Sequence, residues 1–359
     1  MRVYLDHNAT SPLKESARRA MLSAFELTGN ASSIHAEGRQ AHALLDEARD
    51  AVARAVGAIA PMVVFTSGGS EANNLALKGA PVERLIVSAI EHPSVLEAAR
   101  NSGKEVHILP VDGEGLVDLG ALERLLAAGP KALVSVMLAN NETGVIEPIR
   151  EVVRLAHAQG ALVHSDAVQA LGKIPVNFGL LGTDLVSLSA HKLGGPAGAG
   201  ALVVRDGLAL DPLIQGGGQE LRRRAGTENL AAIAGFAAAA QEKRLEIKAL
   251  RDHIEEGLEG AVVFGGKAER LPNTSCFAMP GLSAETALMA LDLAGFAVSS
   301  GSACSSGKVA KSHVLSAMGV APDLANAAIR VSLGWTTTAR DIDQFISAWN
   351  RIKARRKAA

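Results

Sequence analysis

The strongest constraint on the fold is an alternation along the first half of the chain. Short apolar runs at residues 63–66, 85–88, 106–109, 132–138, 161–165 and 185–188 are mostly separated by helical stretches at 71–78, 94–101, 119–127 and 149–159. Parallel strands need long crossovers, and crossover helices cover both faces of the sheet they connect. Strand–helix–strand repetition therefore predicts a mostly parallel α/β sheet with helices on both sides. Ahead of it, residues 14–27 and 35–56 carry the spacing of amphipathic helices.

The texture changes later. Residues 228–258 are rich in Ala, Glu, Lys and Arg and predict one long helix joining two lobes. Strand-like sequence near 262–264, 274–278 and 329–333, with helices at 284–293 and from 339 onward, predicts a smaller α+β lobe. A chain of 359 residues suits two domains. The expected division places 13–245 in a large domain, and 1–12 with 246–359 in a small one.

Several function classes are excluded by composition. The net charge is −1, so no global field draws in nucleic acid or an acidic membrane surface. Aromatic residues are 3% of the chain, too few for base-stacking platforms. No apolar run approaches the roughly 18 residues of a membrane span. With two cysteines and strand-like sequence from the first residues, the expected setting is a reducing cytoplasm. Two cysteines also exclude a disulfide framework and a zinc site. Cys276, in apolar surroundings, reads as a core strand residue.

Three segments carry chemistry. In 65–74 a strand ends in Gly68-Gly69-Ser70 and opens a helix, so backbone N–H groups at Gly69 and Ser70 suit a phosphate. In 164–169, Asp166 and Gln169 follow an apolar strand at the end where ligands gather in parallel sheets. In Ser189-Ala-His-Lys192 a lysine lies between an apolar strand and a glycine-rich turn, where its amine would be partly desolvated, as carbonyl chemistry requires. A phosphate cradle, a carboxylate for a protonated ring nitrogen and an amine are the parts needed to hold pyridoxal 5'-phosphate. Farther on, Cys304 is framed only by Gly, Ser and Ala, the surroundings of a reachable thiol.

Taken in order and together, residues 4–10, 29–35, 66–74, 91–95, 140–144, 166–173, 189–200, 216–220, 224–229, 299–306, 312–315 and 330–334 resemble the NifS/IscS-type cysteine desulfurases. These belong to the class V aminotransferase group with fold-type I architecture. The resemblance implies a large domain with a mostly parallel seven-stranded sheet and a smaller α+β C-terminal domain. It implies that Lys192 carries pyridoxal 5'-phosphate and moves the substrate Cα proton. Asp166 would keep the pyridine nitrogen protonated, Gln169 would bond the phenolic oxygen, and His92 would stack on the ring. Gly69, Ser70, Ser189 and His191 would hold the phosphate. Thr227 would reach the phosphate site of a neighbouring subunit, which implies a homodimer with shared active sites.

On the substrate side, the resemblance implies that Arg330 forks onto the carboxylate of L-cysteine, with Asn141 near both substrate and cofactor. Cys304, as thiolate, would take the substrate sulfur as a persulfide, release alanine, and pass the sulfur to an acceptor or iron–sulfur scaffold protein. Asp6 and Asn8 lie in a matching segment without an assigned role. Leu193, Ala197 and Lys311 depart from the family pattern. Other readings are a class V aminotransferase, which needs Lys192 and Asp166 but not Cys304, a selenocysteine lyase, and a catalytically silent partner protein.

Overall fold

The computed structural model describes residues 2–243, 246–301 and 311–358. In chain order its first strands are β1 (Val3–Tyr4), β2 (Val63–Thr66), β3 (Arg84–Ser88), β4 (Glu105–Leu109), β5 (Ala132–Ser135), β6 (Leu162–Asp166), β7 (Leu185–Ser189) and β8 (Gly200–Val204). Among the described residues, β2 to β8 form a seven-stranded sheet of order β2-β8-β7-β6-β5-β3-β4. Every pairing from β7 across to β4 is parallel. β8 runs antiparallel to both β7 and β2. All the other strands therefore share one direction, and their carboxyl ends emerge along a single edge.

β2, β3, β5, β6, β7 and β8 are buried at every residue, which is why most of them read as unbroken apolar runs. β4 is the outer strand; it exposes Glu105 and Ile108, and its charged residue helps to blunt the edge. The strand predicted over 132–138 stops at Ser135, and the chain continues toward the carboxyl edge. β8 escaped the sequence pattern because it follows Gly194-Gly-Pro-Ala-Gly198 and begins on a glycine. A Cβ on Gly200 would lie 2.6 Å from the Gly68 backbone, so the two chains can meet there only without a side chain.

Helices α1 (Glu15–Phe25), α2 (Ala36–Ala55), α3 (Gly69–Gly79), α4 (Pro93–Arg100), α5 (Leu119–Ala127), α6 (Ile149–Ala158), α7 (Phe178–Leu181) and α8 (Leu230–Ala240) cover this sheet. Side chains of α3 and α4 pack with Leu85, Val87 and Leu133 on one face. Those of α2, α5, α6 and α8 pack with Ile86, Val134 and Val163 on the other. The alternation of neighbours such as Leu85 and Ile86 between two cores is the strand period of two.

The single helix predicted over 228–258 is not formed. α8 ends at Ala240 and α9 (Lys248–Gly257) starts afresh. α8 is apolar throughout and buried on almost every side, whereas α9 buries only Arg251 and Ile254. One straight helix would carry the charged 241–243 stretch on into the packed interior. Instead Glu242 leaves the helix and pairs with Lys14 at 3.0 Å.

Beyond it, β9 (Val262–Val263), β10 (Thr274–Ala278), β12 (Ser299–Ser300) and β13 (Ala328–Ser332) form an antiparallel sheet of order β12-β13-β10-β9. β11 (Phe296–Ala297) pairs with β1. Helices α10 (Ala284–Leu293), α11 (His313–Ala317), α12 (Pro322–Ala325) and α13 (Ala339–Ala358) complete this part. Its core includes edge-to-face pairs of Phe277 with Trp349 and Phe296 with Phe345. Cys276 is buried in β10, and burial pushes its thiol well above the ordinary range, so it is an inert core residue as expected. Among the described residues, no helix is long and apolar enough to cross a membrane.

Candidate active site

Because the shared carboxyl edge collects the strand ends, the segments after β2, β3, β5, β6 and β7 meet above it. They surround a cavity of about 270 Å³, near the lower end of the roughly 300–1,000 Å³ usual for ligand pockets. Gly69, Ser70, His92 and Asn141 line it, as do Asp166, Gln169 and Ser189. His191, Lys192 and Arg330 complete the set of expected site residues found there. Thr227 is exposed and does not line this cavity. Cys304 lies outside the described residues.

Lys192 closes a short 3₁₀ turn after β7, and its Nζ donates to the carbonyls of Asn8 at 2.6 Å and Ala9 at 2.8 Å. Asp166 is the last residue of β6. It accepts from Asn73 Nδ2 at 2.7 Å and from the Val168 amide at 2.9 Å, so its carboxylate is held on two sides. Asn73, from α3, also donates to Ser94 Oγ at 2.9 Å. Gln169 donates to the Asn8 carbonyl at 3.0 Å and accepts from Lys173 Nζ at 2.6 Å.

His92 does two things at once. Its Nδ1 caps α4 by accepting the Ser94 amide at 3.1 Å, while the side chain lines the cavity. An accepting Nδ1 leaves the proton of the neutral ring on Nε2. Burial lowers the His92 pKa; the Asp166 charge opposes this, and Lys192 and His313 add to it. His191 meets Thr10 Oγ1 at 3.2 Å, and its pKa is pushed down to about 4 by burial and then by Lys192 and Lys173. Both imidazoles are thus biased toward the neutral form.

Arg330, from β13, enters from the opposite side. Its guanidinium donates to Asp6 Oδ1 at 2.7 Å and to the Asn141 carbonyl at 2.9 Å. Asp6 is itself fixed by Ser299 Oγ at 2.8 Å. Next to this pair, buried Glu142 accepts from Ser312 Oγ, and burial raises its pKa to about 7. Asp6, Asn8, Asn73 and Lys173 are the site residues to which sequence reasoning assigned no chemistry. Their bonds to Arg330, Lys173 and Asp166 span more than 90 residues, while Asn73 also reaches Ser94 and Lys173 reaches Gln169 within its own turn. The one sequence signal was that all four sit inside segments that resemble the family.

Comparison with known proteins agrees with this geometry. Residues 3–345 match the family profile described as Aminotransferase class-V. The chain belongs to that family. It is 43% identical to the cysteine desulfurase IscS of Dictyoglomus turgidum over 371 residues, covering 98% of this chain and 94% of the relative. It is 45% identical to a cysteine desulfurase of Cereibacter sphaeroides over 365 residues, covering 96% and 94%. The X-ray structure of a NifS-like protein from Rickettsia africae superposes with a TM-score of 0.91 at 37% identity, covering 99% of this chain and all (100%) of that one. The fold is therefore fold-type I, with its mostly parallel sheet.

The cofactor of this family is pyridoxal 5'-phosphate, and the cavity suits it. Gly69 and Ser70 open α3, whose first N–H groups have no partner within the helix and favour an anion. A Cβ on Gly69 would come within 2.7 Å of Val168, so the cradle closes only around glycine. Among the described residues, buried Asn73 Oδ1 and Arg330 Nε have no hydrogen-bond partner, and both residues line the cavity. An amine, a carboxylate and an anion cradle around one cavity match the amine-reactive, ring-nitrogen and phosphate ends of the cofactor.

Proposed function

We propose that the protein is a cysteine desulfurase that removes sulfur from L-cysteine, releases L-alanine and leaves a persulfide on Cys304. The observation that carries this reading is that Lys192, Asp166 and Arg330 line one cavity although they come from three different strands or strand ends. The relatives that match along nearly the whole chain are named cysteine desulfurases.

When bound, pyridoxal 5'-phosphate supplies an electron sink that makes the Cα proton of an amino acid removable. Lys192 carries the cofactor and moves that proton as a general base. Asp166 keeps the pyridine nitrogen protonated, with Asn73 holding the carboxylate in place. Gln169 would bond the phenolic oxygen, His92 would stack on the ring, and Ser70, Ser189 and His191 would join the Gly69 backbone in holding the phosphate. Arg330 forks onto the substrate carboxylate, its orientation fixed by Asp6, with Asn141 alongside. Cys304, as thiolate, would attack the substrate sulfur; the new S–S bond forms as the C–S bond breaks, its electron pair stays with the three-carbon skeleton, and that skeleton takes up a proton and leaves as alanine.

The wider reading follows from these roles. The persulfide passes to an acceptor or iron–sulfur scaffold protein in the cytoplasm. Thr227, exposed and not lining its own chain's cavity, serves the phosphate site of a second copy in a homodimer. Residues 13–245 form the cofactor-binding domain, and 1–12 with 246–359 form the small domain; the pairing of β1 with β11 supports assigning the N-terminus to the latter.

The test is incubation of purified holoprotein with L-cysteine, with alanine quantified and the Cys304 peptide weighed. Equimolar alanine and sulfur, with one added sulfur on that peptide, are the expected result. Turnover that requires a 2-oxo acid would replace this reading with an aminotransferase, and alanine formed undiminished by Cys304→Ala would remove Cys304 as the sulfur acceptor.

A further inference from the structure

Lys173 does not line the cavity, yet it is more deeply placed than most lysines ever are, at 7% exposure. It sits four residues after Gln169 in the turn that follows β6. Its Nζ lies 2.6 Å from Gln169 Oε1 and 2.7 Å from Asn8 Oδ1. Asn8 is in turn committed on every side. Its Nδ2 donates to Thr274 Oγ1 at 2.9 Å and to the Asn141 carbonyl at 3.2 Å, and its Oδ1 also accepts from Asn273 at 3.1 Å. Lys173 is therefore held by two acceptors that cannot readily turn away.

The consequence falls on Gln169. A glutamine amide is ambiguous by shape, and only its partners decide which end points where. The Asn8 backbone carbonyl accepts only, so Nε2 must face it. The Lys173 amine donates to the other end, so Oε1 must face Lys173. With both ends assigned, Nε2 keeps one N–H for the cavity that Gln169 lines, and the amide oxygen is kept out of it.

We infer that Lys173 is a positioning residue, holding the Gln169 amide so that an N–H rather than the carbonyl faces the phenolic oxygen of the cofactor. This rests on the reading of Gln169 given above. The surroundings suit that task. Lys192 and Arg330 face Lys173 as cations, and His7 and His191 stand near it biased toward neutrality. Burial, then Lys192 and Arg330, hold the Lys173 pKa well below the ordinary lysine value. An amine still has two N–H groups, enough for both of its acceptors. The orientation of Gln169 thus survives loss of the Lys173 charge.

The experiment is a pH titration of the visible absorbance of the bound cofactor, with cofactor affinity from equilibrium dialysis and folding checked by circular dichroism. Lys173→Met removes the donor to Oε1, leaving the Asn8 carbonyl alone to orient the amide and weakening the N–H that faces the phenolic oxygen. The absorbance midpoint should rise by about one unit and cofactor affinity should fall roughly tenfold, the size of one lost charge-assisted hydrogen bond. Lys173→Gln keeps a donor and should hold the midpoint within a few tenths of a unit. In a Gln169→Leu background, Lys173→Met should add nothing further. An unchanged midpoint in Lys173→Met, equal shifts in the Met and Gln variants, or an equal shift in both backgrounds would each overturn the proposal. If instead the wild-type protein bound no pyridoxal 5'-phosphate, the reading of the cavity itself would fall, and this inference with it.

Discussion

Arg84 and Arg330 are buried almost equally, at 2% and 1% exposure, one at the amino edge of the large sheet and the other over its carboxyl edge. Arg84 opens β3 and turns its guanidinium onto the carbonyls of Leu125 at 2.9 Å and Pro130 at 3.0 Å, where α5 ends. The Leu125 carbonyl belongs to the last turn of α5, the negative end of the helix dipole, and the Pro130 carbonyl to the loop after it, so a cation there is a structural clamp. The fit is tight: a Cβ on Gly129 would come 2.9 Å from the Arg84 Nη1. Arg330 is tied instead to the Asp6 carboxylate and a single carbonyl, and it lines the cavity. Burial of charge does not mark a functional group. An open volume beside it does.

The comparison is best tested from the carboxyl edge first. Lys192→Ala should lower alanine release from L-cysteine by roughly 10²–10⁴-fold, the range of a positioned general base. It should also let the cofactor dialyse away, which its absorbance would report. Retained turnover would mean that the proton at Cα is moved by another group. Arg330→Met comes next. Losing a charge-assisted fork should raise KM for L-cysteine roughly 10–100-fold, with a smaller fall in kcat. If kcat fell and KM did not move, Arg330 would be holding Asp6 and Asn141 rather than substrate.

The contrast between the two edges also explains what could be read from the sequence. β2, β3, β5, β6 and β7 were legible because strands buried on both faces are mostly apolar, with polar residues such as His164 and Ser187 bonded to each other. Asp166 and Lys192 were legible because each is a charged residue at the end of such a run, which fixes it at one edge. The end of α8 at Ala240 was not legible, since composition is helical on both sides of it and only packing of α8 against α1 and α2 sets it apart. Asp6 and Asn73 were recognisable only as parts of segments. Asp6 meets Arg330 across 324 positions and Asn73 meets Asp166 across 93, and no local pattern records such a meeting. His164 shows the reverse error that chain order invites. It lies two residues before Asp166, yet it is wedged between Ser135 Oγ at 2.8 Å and Ser187 Oγ at 2.9 Å, inside the sheet and away from the cavity.

At the amino edge the expected effect on chemistry is the smallest, and that is what makes it informative. Arg84→Met keeps most of the side-chain volume but removes the guanidinium donors to the Leu125 and Pro130 carbonyls, of which Leu125 retains only the Ala128 amide at 3.4 Å. A part-buried hydrogen bond contributes about 0.5–1.5 kcal/mol, so losing the two should lower unfolding stability by roughly 1–3 kcal/mol. In a chain of 359 residues this is a drop of a few degrees in Tm, measurable by thermal denaturation of the holoprotein. The lost bonds lie where α5 turns into β5, behind the sheet from the cavity. The folded fraction should therefore keep kcat and KM for L-cysteine within about twofold, as for a change more than 7–10 Å from the site with no shared partners. A KM shift like that of Arg330→Met would show instead that strain at one edge is carried along β3 to His92, and the division between a structural and a chemical edge would have to be given up.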